Sequence, residues 1–168
     1  MRVYIPATFS MLVNLAETGV LSARSGWGFA MTPALTEFFT SGDEEEIADV
    51  AFTEASRASI RLLTIGGEES FPHRRVVVSV DLPDEQVTST PENGEAVVKL
   101  SPAQVSLDQV AAIHVDTEAN EPATAKAMEL IDEADLGDED AELAVGDAQD
   151  NFLAWYDPTE LNALTQLL

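Results

Sequence analysis

Residues 75–80 have the sequence RVVVSV, and this run is the strongest indication of the fold. A segment that is almost continuous in valine predicts a β-strand buried on both faces. Two further apolar runs, at residues 96–100 and 110–115, predict strands, and residues 91–95 between them and the valine run have the composition of a turn. No helix-length pattern separates these strands, so we expect them to pair antiparallel or in a mixed sheet.

The strongest helical pattern precedes the valine run and extends from Ser41 to about Gly66. Ser41 and Glu44 have the spacing of a capping box, and the acidic run at residues 43–46 suits the positive end of a helix dipole. Apolar residues then recur in steps of three and four, at Ile47, Ala51, Ala55, Ala58, Leu62 and Ile65. This pattern predicts an amphipathic helix that packs one face on the sheet.

Shorter patterns predict the remaining elements. They are strands at residues 2–5, 27–31 and 152–156, helices that begin near Thr8, Thr32 and Asn120, and a terminal helix after Asp157 with Leu161, Leu164 and Leu168 facing inward. Residues 135–150 are predicted to form an acidic loop. The chain is therefore expected to be one α+β domain over residues 1–168. We expect a mixed, mostly antiparallel sheet of five to six strands, flanked by about five helices.

Composition limits the class of partner. The 168 residues include no cysteine, which favours a reducing, cytoplasmic compartment. The formal net charge is −23, and most of the 31 acidic side chains lie in the second half of the chain. A field of this sign repels nucleic acids and anionic membranes, so neither is expected as a partner. A protein partner and the oligomeric state are left open.

Motifs for known chemistry are missing from the sequence. It contains no phosphate-binding glycine loop, dinucleotide-binding fingerprint or nucleophile elbow. Only two histidines are present, His73 and His114, and neither has a partner at helical spacing. The acidic runs at residues 43–46 and 138–140 lack the spacing of a calcium-binding loop. We therefore expect no metal site and no cofactor.

The scarce arginines are the most informative charged residues. On a helical wheel, Glu54 and Arg61 flank the apolar stripe of the long helix. One interpretation is structural, a half-buried Glu54–Arg57 ion pair with Arg61 extending its stem along the core margin. The other is a small anion-binding pocket formed by Arg57 and Arg61 and joined by Arg74 or Arg75. Charges near a core usually pair structurally, which favours the first interpretation.

His114 lies in a predicted strand, where alternation places it on the same face as Ala112 and Asp116. A carboxylate beside an imidazole can orient it as a general base. The structural alternative is a partly buried histidine that bonds to the backbone or to Asp116. We favour the structural alternative, because no nucleophile or metal motif accompanies His114.

Six blocks of the chain resemble a known family. They are RVYIPAT (2–8), GFAMTPALTEFF (28–39), ASRASIRLL (55–63), RRVVVSVDLPDEQV (74–87), VSLDQVAAIHVD (105–116) and LAWYDPTEL (153–161). Through these blocks, nearly the whole chain is similar to an uncharacterised actinobacterial family of unknown function. The resemblance implies an actinobacterial cytoplasmic protein, and it supplies no activity, catalytic residue or cofactor.

The sequence supports three hypotheses about function. The preferred one is a non-catalytic cytoplasmic protein that binds a ligand or regulates a partner. The alternative is a small-molecule enzyme that uses Arg57, Arg61 and His114 on an anionic substrate. The third is an acidic protein that occupies the basic surface of a partner. An enzyme requires a concave pocket in which those polar groups converge.

Overall fold

The valine-rich run forms an interior strand of a large sheet in this computed structural model, which describes residues 1–39, 41–66 and 70–166. The strands are β1 (Arg2–Ala7), β2 (Val20–Ser22), β3 (Trp27–Ala30), β4 (Val76–Asp81), β5 (Val87–Ser89), β6 (Val97–Leu100), β7 (Gln104–Ser106), β8 (Val110–Asp116) and β9 (Leu153–Tyr156). Seven of them form one sheet in the order β5-β6-β3-β1-β4-β8-β9, and all its neighbours are antiparallel. Strands β2 and β7 form a separate antiparallel pair.

Helices cover both faces of the large sheet. Within the described residues they are α1 (Phe9–Thr18), α2 (Pro33–Phe38), α3 (Glu44–Thr64), α4 (Glu121–Asp135), α5 (Glu139–Gln149) and α6 (Leu161–Gln166). The predicted α+β class is confirmed, but the sheet is larger than predicted. Strands β2, β5 and β7 have three residues each, too few to show a period of two in the sequence. None of the described helices is both long and apolar enough to cross a membrane.

One face of the sheet packs against α1 and α6. The buried cluster there includes Val3, Ile5, Val76, Val78 and Val80 of the sheet, Phe9, Leu12 and Leu15 of α1, and Leu161 and Leu164 of α6. The predicted cap of α1 is confirmed, because the Thr8 hydroxyl accepts the N–H of Met11 at 3.4 Å. Leu168, predicted to face inward with the other leucines of the terminal helix, lies outside the described residues.

The other face of the sheet packs against α3. Ser59 fixes this helix to two strands, because its hydroxyl donates to the Ala7 carbonyl at 2.7 Å and accepts the Val76 N–H at 2.9 Å. The predicted Ser41 and Glu44 capping box is wrong. The helix begins after Asp43, whose carboxylate accepts the N–H of Glu46 at 2.9 Å. A charged acceptor three residues before that N–H makes the stronger cap.

The acidic segment predicted as a loop at residues 135–150 is mostly helix α5. Its small residues Ala141, Ala144, Val145 and Ala148 recur in helical steps and are buried against α4 and Ile60 of α3. The acidic residues at its start suit the helix dipole, and the Asp138 carboxylate caps it through the N–H of Ala141. The many acidic residues of this segment make its helical pattern of small residues hard to detect in the sequence. These small side chains allow α5 to pack closely.

Candidate functional site

A groove opens on the α3 side of the sheet, beside the first half of α3. It has a volume of about 420 Å³ and is lined by Arg2, Tyr4, Glu45, Ala48, Asp49, Phe52, Ser79, Ala112, His114 and Trp155. Strand pairing brings the floor together, since Tyr4 lies opposite Ser79 and Ser79 lies opposite Ala112. His114 is likewise opposite Trp155. Residues opposite each other in paired strands point to the same face of the sheet.

Ser79 and His114 form the polar floor of this groove. The Ser79 Oγ atom lies 2.9 Å from His114 Nε2, and Ser79 is 2% exposed. Burial, together with the positive charge of Arg2, lowers the pKa of His114 from 6.5 to about 4. The imidazole is therefore neutral near pH 7, with one nitrogen that donates and one that accepts a hydrogen bond. Its side-chain partner is this serine rather than Asp116.

Aromatic rings connect the floor of the groove to α3. The Phe52 ring meets the Tyr4 ring edge to face, with centroids 5.6 Å apart, and meets the His114 ring in the same way at 4.8 Å. Trp155 also lines the groove, from the edge strand β9, and is 60% exposed. The groove therefore offers apolar ring surfaces above a polar floor.

The charges at the mouth of the groove are unbalanced. Arg2 donates two hydrogen bonds to Asp81, at 2.6 and 3.1 Å, and these bonds raise the pKa of Arg2 and lower that of Asp81. Burial is the main cause that raises the pKa of Tyr4. The positive charge of Arg2 lowers this pKa, and the negative charges of Asp49 and Asp81 raise it. The phenol is therefore neutral at physiological pH. In the described part of the chain, neither Glu45 nor Asp49 forms an ion pair that would offset its charge.

The two arginines of α3 point toward other carboxylates. Arg57 contacts Asp135 at 2.9 Å and Glu142 at 3.0 Å, so it joins α3 to both α4 and α5. Arg61 forms ion pairs with Asp132 and Asp135. Glu54, the expected partner of Arg57, is not among its ion-pair contacts. The structure thus has arginines at the margin of the core that pair across helices rather than within α3.

The two arginines before β4 are also paired. Arg74 contacts Glu121 at 3.1 Å. Arg75 is 1% exposed and donates to both oxygens of Asp116, at 2.9 and 2.7 Å, and to the Asn151 carbonyl at 2.7 Å. Thr124 donates a further bond to Asp116 at 2.9 Å. Of the arginines and histidine predicted as site residues, only His114 lines the groove.

Sequence reasoning missed most of the groove. Its polar floor residue Ser79 interrupts the valines of residues 76–80, and Tyr4 alternates with the apolar positions of β1. These two signals are present in the sequence, but the sequence does not show which strands pair with each other. The pairs that join Tyr4 to Ser79 and His114 to Trp155 link positions far apart in the sequence. Within the described residues, no group of three or more His, Cys, Asp or Glu side chains is placed to hold a metal ion.

These features define an α+β protein with an antiparallel seven-stranded sheet, helices on both faces and an open groove beside α3. The chain belongs to a family of unknown function, DUF6912, whose family model matches residues 1–165. No curated protein and no solved structure matches the chain.

Proposed function

We propose that this protein is a non-catalytic binding protein with a regulatory role, and that the groove beside α3 holds a small molecule. The observation that carries the proposal is the groove of about 420 Å³, in which three aromatic rings line the same surface as the hydrogen-bonded Ser79–His114 pair. Sites for small molecules commonly have this size, with apolar walls and a few placed polar groups.

The arginine contacts disfavour an enzyme that holds an anionic substrate. All four arginines considered for that role have carboxylate partners. None of them lines the groove that contains His114. An arginine whose charge is already compensated attracts a substrate anion weakly, because nearby carboxylates repel the same anion.

One contact supports a catalytic alternative. A serine hydroxyl 2.9 Å from an imidazole nitrogen is the geometry of a nucleophile and its general base. Ser79, however, is 2% exposed and lies in a strand paired on both sides, with β1 and β8. Backbone N–H groups within such a ladder bond to neighbouring strands and are poorly placed to stabilise an oxyanion. We therefore place binding ahead of catalysis.

The net charge of −23 supports the remaining parts of the proposal. We propose that the protein binds neither nucleic acid nor membrane, since both carry negative charge. The same negative charge attracts a protein partner with a basic surface. Binding to such a surface is the third hypothesis about function. The absence of cysteine supports a cytoplasmic location. The family resemblance of the six sequence blocks supports an actinobacterial origin.

A metabolite screen by thermal shift tests the proposed function. We expect at least one compound to raise the Tm saturably in the wild type and in Phe152→Ala, and to lose this effect in Trp155→Ala. Phe152 is the matched control, because it is an exposed aromatic residue near Trp155 that does not line the groove. If the rise in Tm is lost in both variants, or in neither, the compound binds outside the groove. A screen in which no compound acts on the wild type would contradict the proposal.

A further inference from the structure

We propose that the ligand of this groove is a small organic cation, an amine or quaternary ammonium group on a flat apolar body. The inference rests on the proposed function and names the class of ligand. It depends on three properties of the groove, namely its charge, its rings and its uncharged floor.

The charge at the mouth of the groove is negative. Asp81 compensates Arg2 through two hydrogen bonds, which leaves Glu45 and Asp49 as the charged groups that line the groove without an ion-pair partner in the described residues. They are four residues apart on α3 and therefore lie on the same side of the helix, one turn apart. The positive end of the helix dipole is equivalent to about half a charge. The four carboxylates at residues 43–46 carry more negative charge than this positive helix end offsets, so a cation is favoured.

The rings supply surfaces that bind cations. An ammonium group over an aromatic face is attracted by the negative charge of the ring's π-system. The protein already contains one such contact, since Lys99 Nζ lies 4.4 Å from the centre of the Trp27 ring. In the groove, Trp155 is 60% exposed, and the Phe52 ring lines the same groove from α3. A flat ligand body can pack on these rings while its cationic group remains near the carboxylates.

The floor of the groove is polar but carries no positive charge. Burial keeps the imidazole of His114 neutral, with a pKa of about 4, and raises the pKa of the Tyr4 phenol. The Tyr4 hydroxyl can accept a hydrogen bond from an N–H donor, and the neutral Ser79–His114 pair adds no charge that would repel a cation. An anion would instead face Glu45 and Asp49, with no cation outside the Arg2–Asp81 pair among the groove residues. The floor and the mouth therefore select for the same sign of ligand charge.

Three probes that share a phenyl ring test this inference: phenethylamine, 2-phenylethanol and phenylacetate. Each is titrated into the ¹⁵N-labelled protein, and dissociation constants are taken from shifts of groove residues. We expect phenethylamine to bind most tightly, 2-phenylethanol more weakly, and phenylacetate not to saturate. The variant Asp49→Asn should weaken phenethylamine about fivefold and leave 2-phenylethanol unchanged. Glu45→Gln should act in the same direction.

The matched control is Glu44→Gln, which removes the same charge from the first turn of α3 at a residue that does not line the groove. Equal weakening by this variant would mean that overall charge, and not the groove, attracts the amine, and would overturn the inference. Phenylacetate binding as tightly as phenethylamine would overturn it while leaving the proposed function intact. If no probe saturates, the inference fails, and the metabolite screen decides separately whether the groove binds another class of compound.

Discussion

Ser79 Oγ and His114 Nε2 lie 2.9 Å apart, although the two residues are 35 positions apart in the chain. The contact is diagonal, because His114 is paired with Val77 and Ser79 with Ala112 in the ladder of β4 and β8. The Phe52 ring packs on the same imidazole from α3. The hydrogen bond and the ring together hold a neutral histidine at the floor of the groove, and this state has a measurable dependence on pH.

Folding stability should fall as His114 takes up a proton. Its pKa is about 4 in the folded protein and 6.5 as the ordinary value. The contribution of the neutral ring is therefore complete above about pH 6.5 and is lost as pH falls toward about 4. The pKa difference corresponds to at most about 3 kcal/mol. Urea unfolding should show that the wild type and His114→Gln differ in their free energy of unfolding, and that this difference narrows as the pH falls over this range.

The variant is needed for comparison because lowering the pH also neutralises carboxylates and relieves repulsion in a chain of net charge −23. If the difference in unfolding free energy between the two proteins stays constant between about pH 7 and about pH 4, His114 is not held neutral in the folded protein.

The Arg75–Asp116 pair should be costly to break from one side. Both side chains are almost fully buried, and Asp116 also accepts bonds from Thr124 and Asn120. Asp116→Asn should lower the free energy of unfolding by about 3–5 kcal/mol, because it leaves a buried guanidinium without its counter-charge. The double variant Arg75→Met with Asp116→Leu should lose less than Asp116→Leu alone. Additive losses in this double-mutant cycle would show that the pair is not coupled.

Ser59 should contribute more to folding stability than Ser56, a neighbouring serine that is similarly buried. Its hydroxyl bonds to the Ala7 carbonyl and the Val76 N–H, whereas the Ser56 hydroxyl donates to the carbonyl of Thr53 within α3. Ser59→Ala leaves two buried backbone groups with fewer partners and should cost about 2–4 kcal/mol, against about 1 kcal/mol or less for Ser56→Ala. Chemical denaturation of both variants checks the order, and equal losses would refute the role of Ser59 in holding α3 on the sheet.

Arg57 should stabilise the protein more than Arg61 does. Its side chain is 26% exposed and links α3 to α4 and α5, while that of Arg61 is 39% exposed and pairs with α4 alone. Arg57→Ala should cost about 1–2 kcal/mol and Arg61→Ala about 1 kcal/mol or less, both reduced by salt. Because both arginines are paired, phosphate should give no saturable rise in Tm. A rise abolished by Arg61→Ala would restore the hypothesis of an anion site.

The sequence predicted the elements whose periodicity is long enough to detect. The valine run, the helix α3 and the cap at Thr8 follow from local rules that need no knowledge of the neighbours. The predicted stripe of α3 is right for Ile47, Ala51 and Ala55 but wrong in its second half, where Ser59, Ile60 and Leu63 are buried and Ile65 is exposed. Helix α5 is not predicted from the sequence because three of its four buried residues are alanines, which give little hydrophobic contrast among many carboxylates. Its partners in α4 became visible only with the tertiary packing.

The groove could not be predicted because its residues meet through strand order. His114 was identified from its own strand, but its contacts with Ser79 and Phe52 come from β4 and α3. A helical wheel places Arg57 and Arg61 relative to the apolar stripe of α3, but the carboxylate partners of Arg57 lie on helices about 80 residues away. A wheel drawn for one helix contains no information about such distant partners.

The indole N–H signals of the two tryptophans show directly whether the groove beside α3 binds the ligand. Trp155 lines the groove, while Trp27 lies elsewhere under Lys99 and serves as an internal control. In a ¹H–¹⁵N spectrum titrated with a compound that raises the Tm, we expect a saturable shift of the Trp155 signal and a stationary Trp27 signal. A saturable shift of Trp27 with Trp155 unmoved would contradict the claim that the groove beside α3 is the binding site.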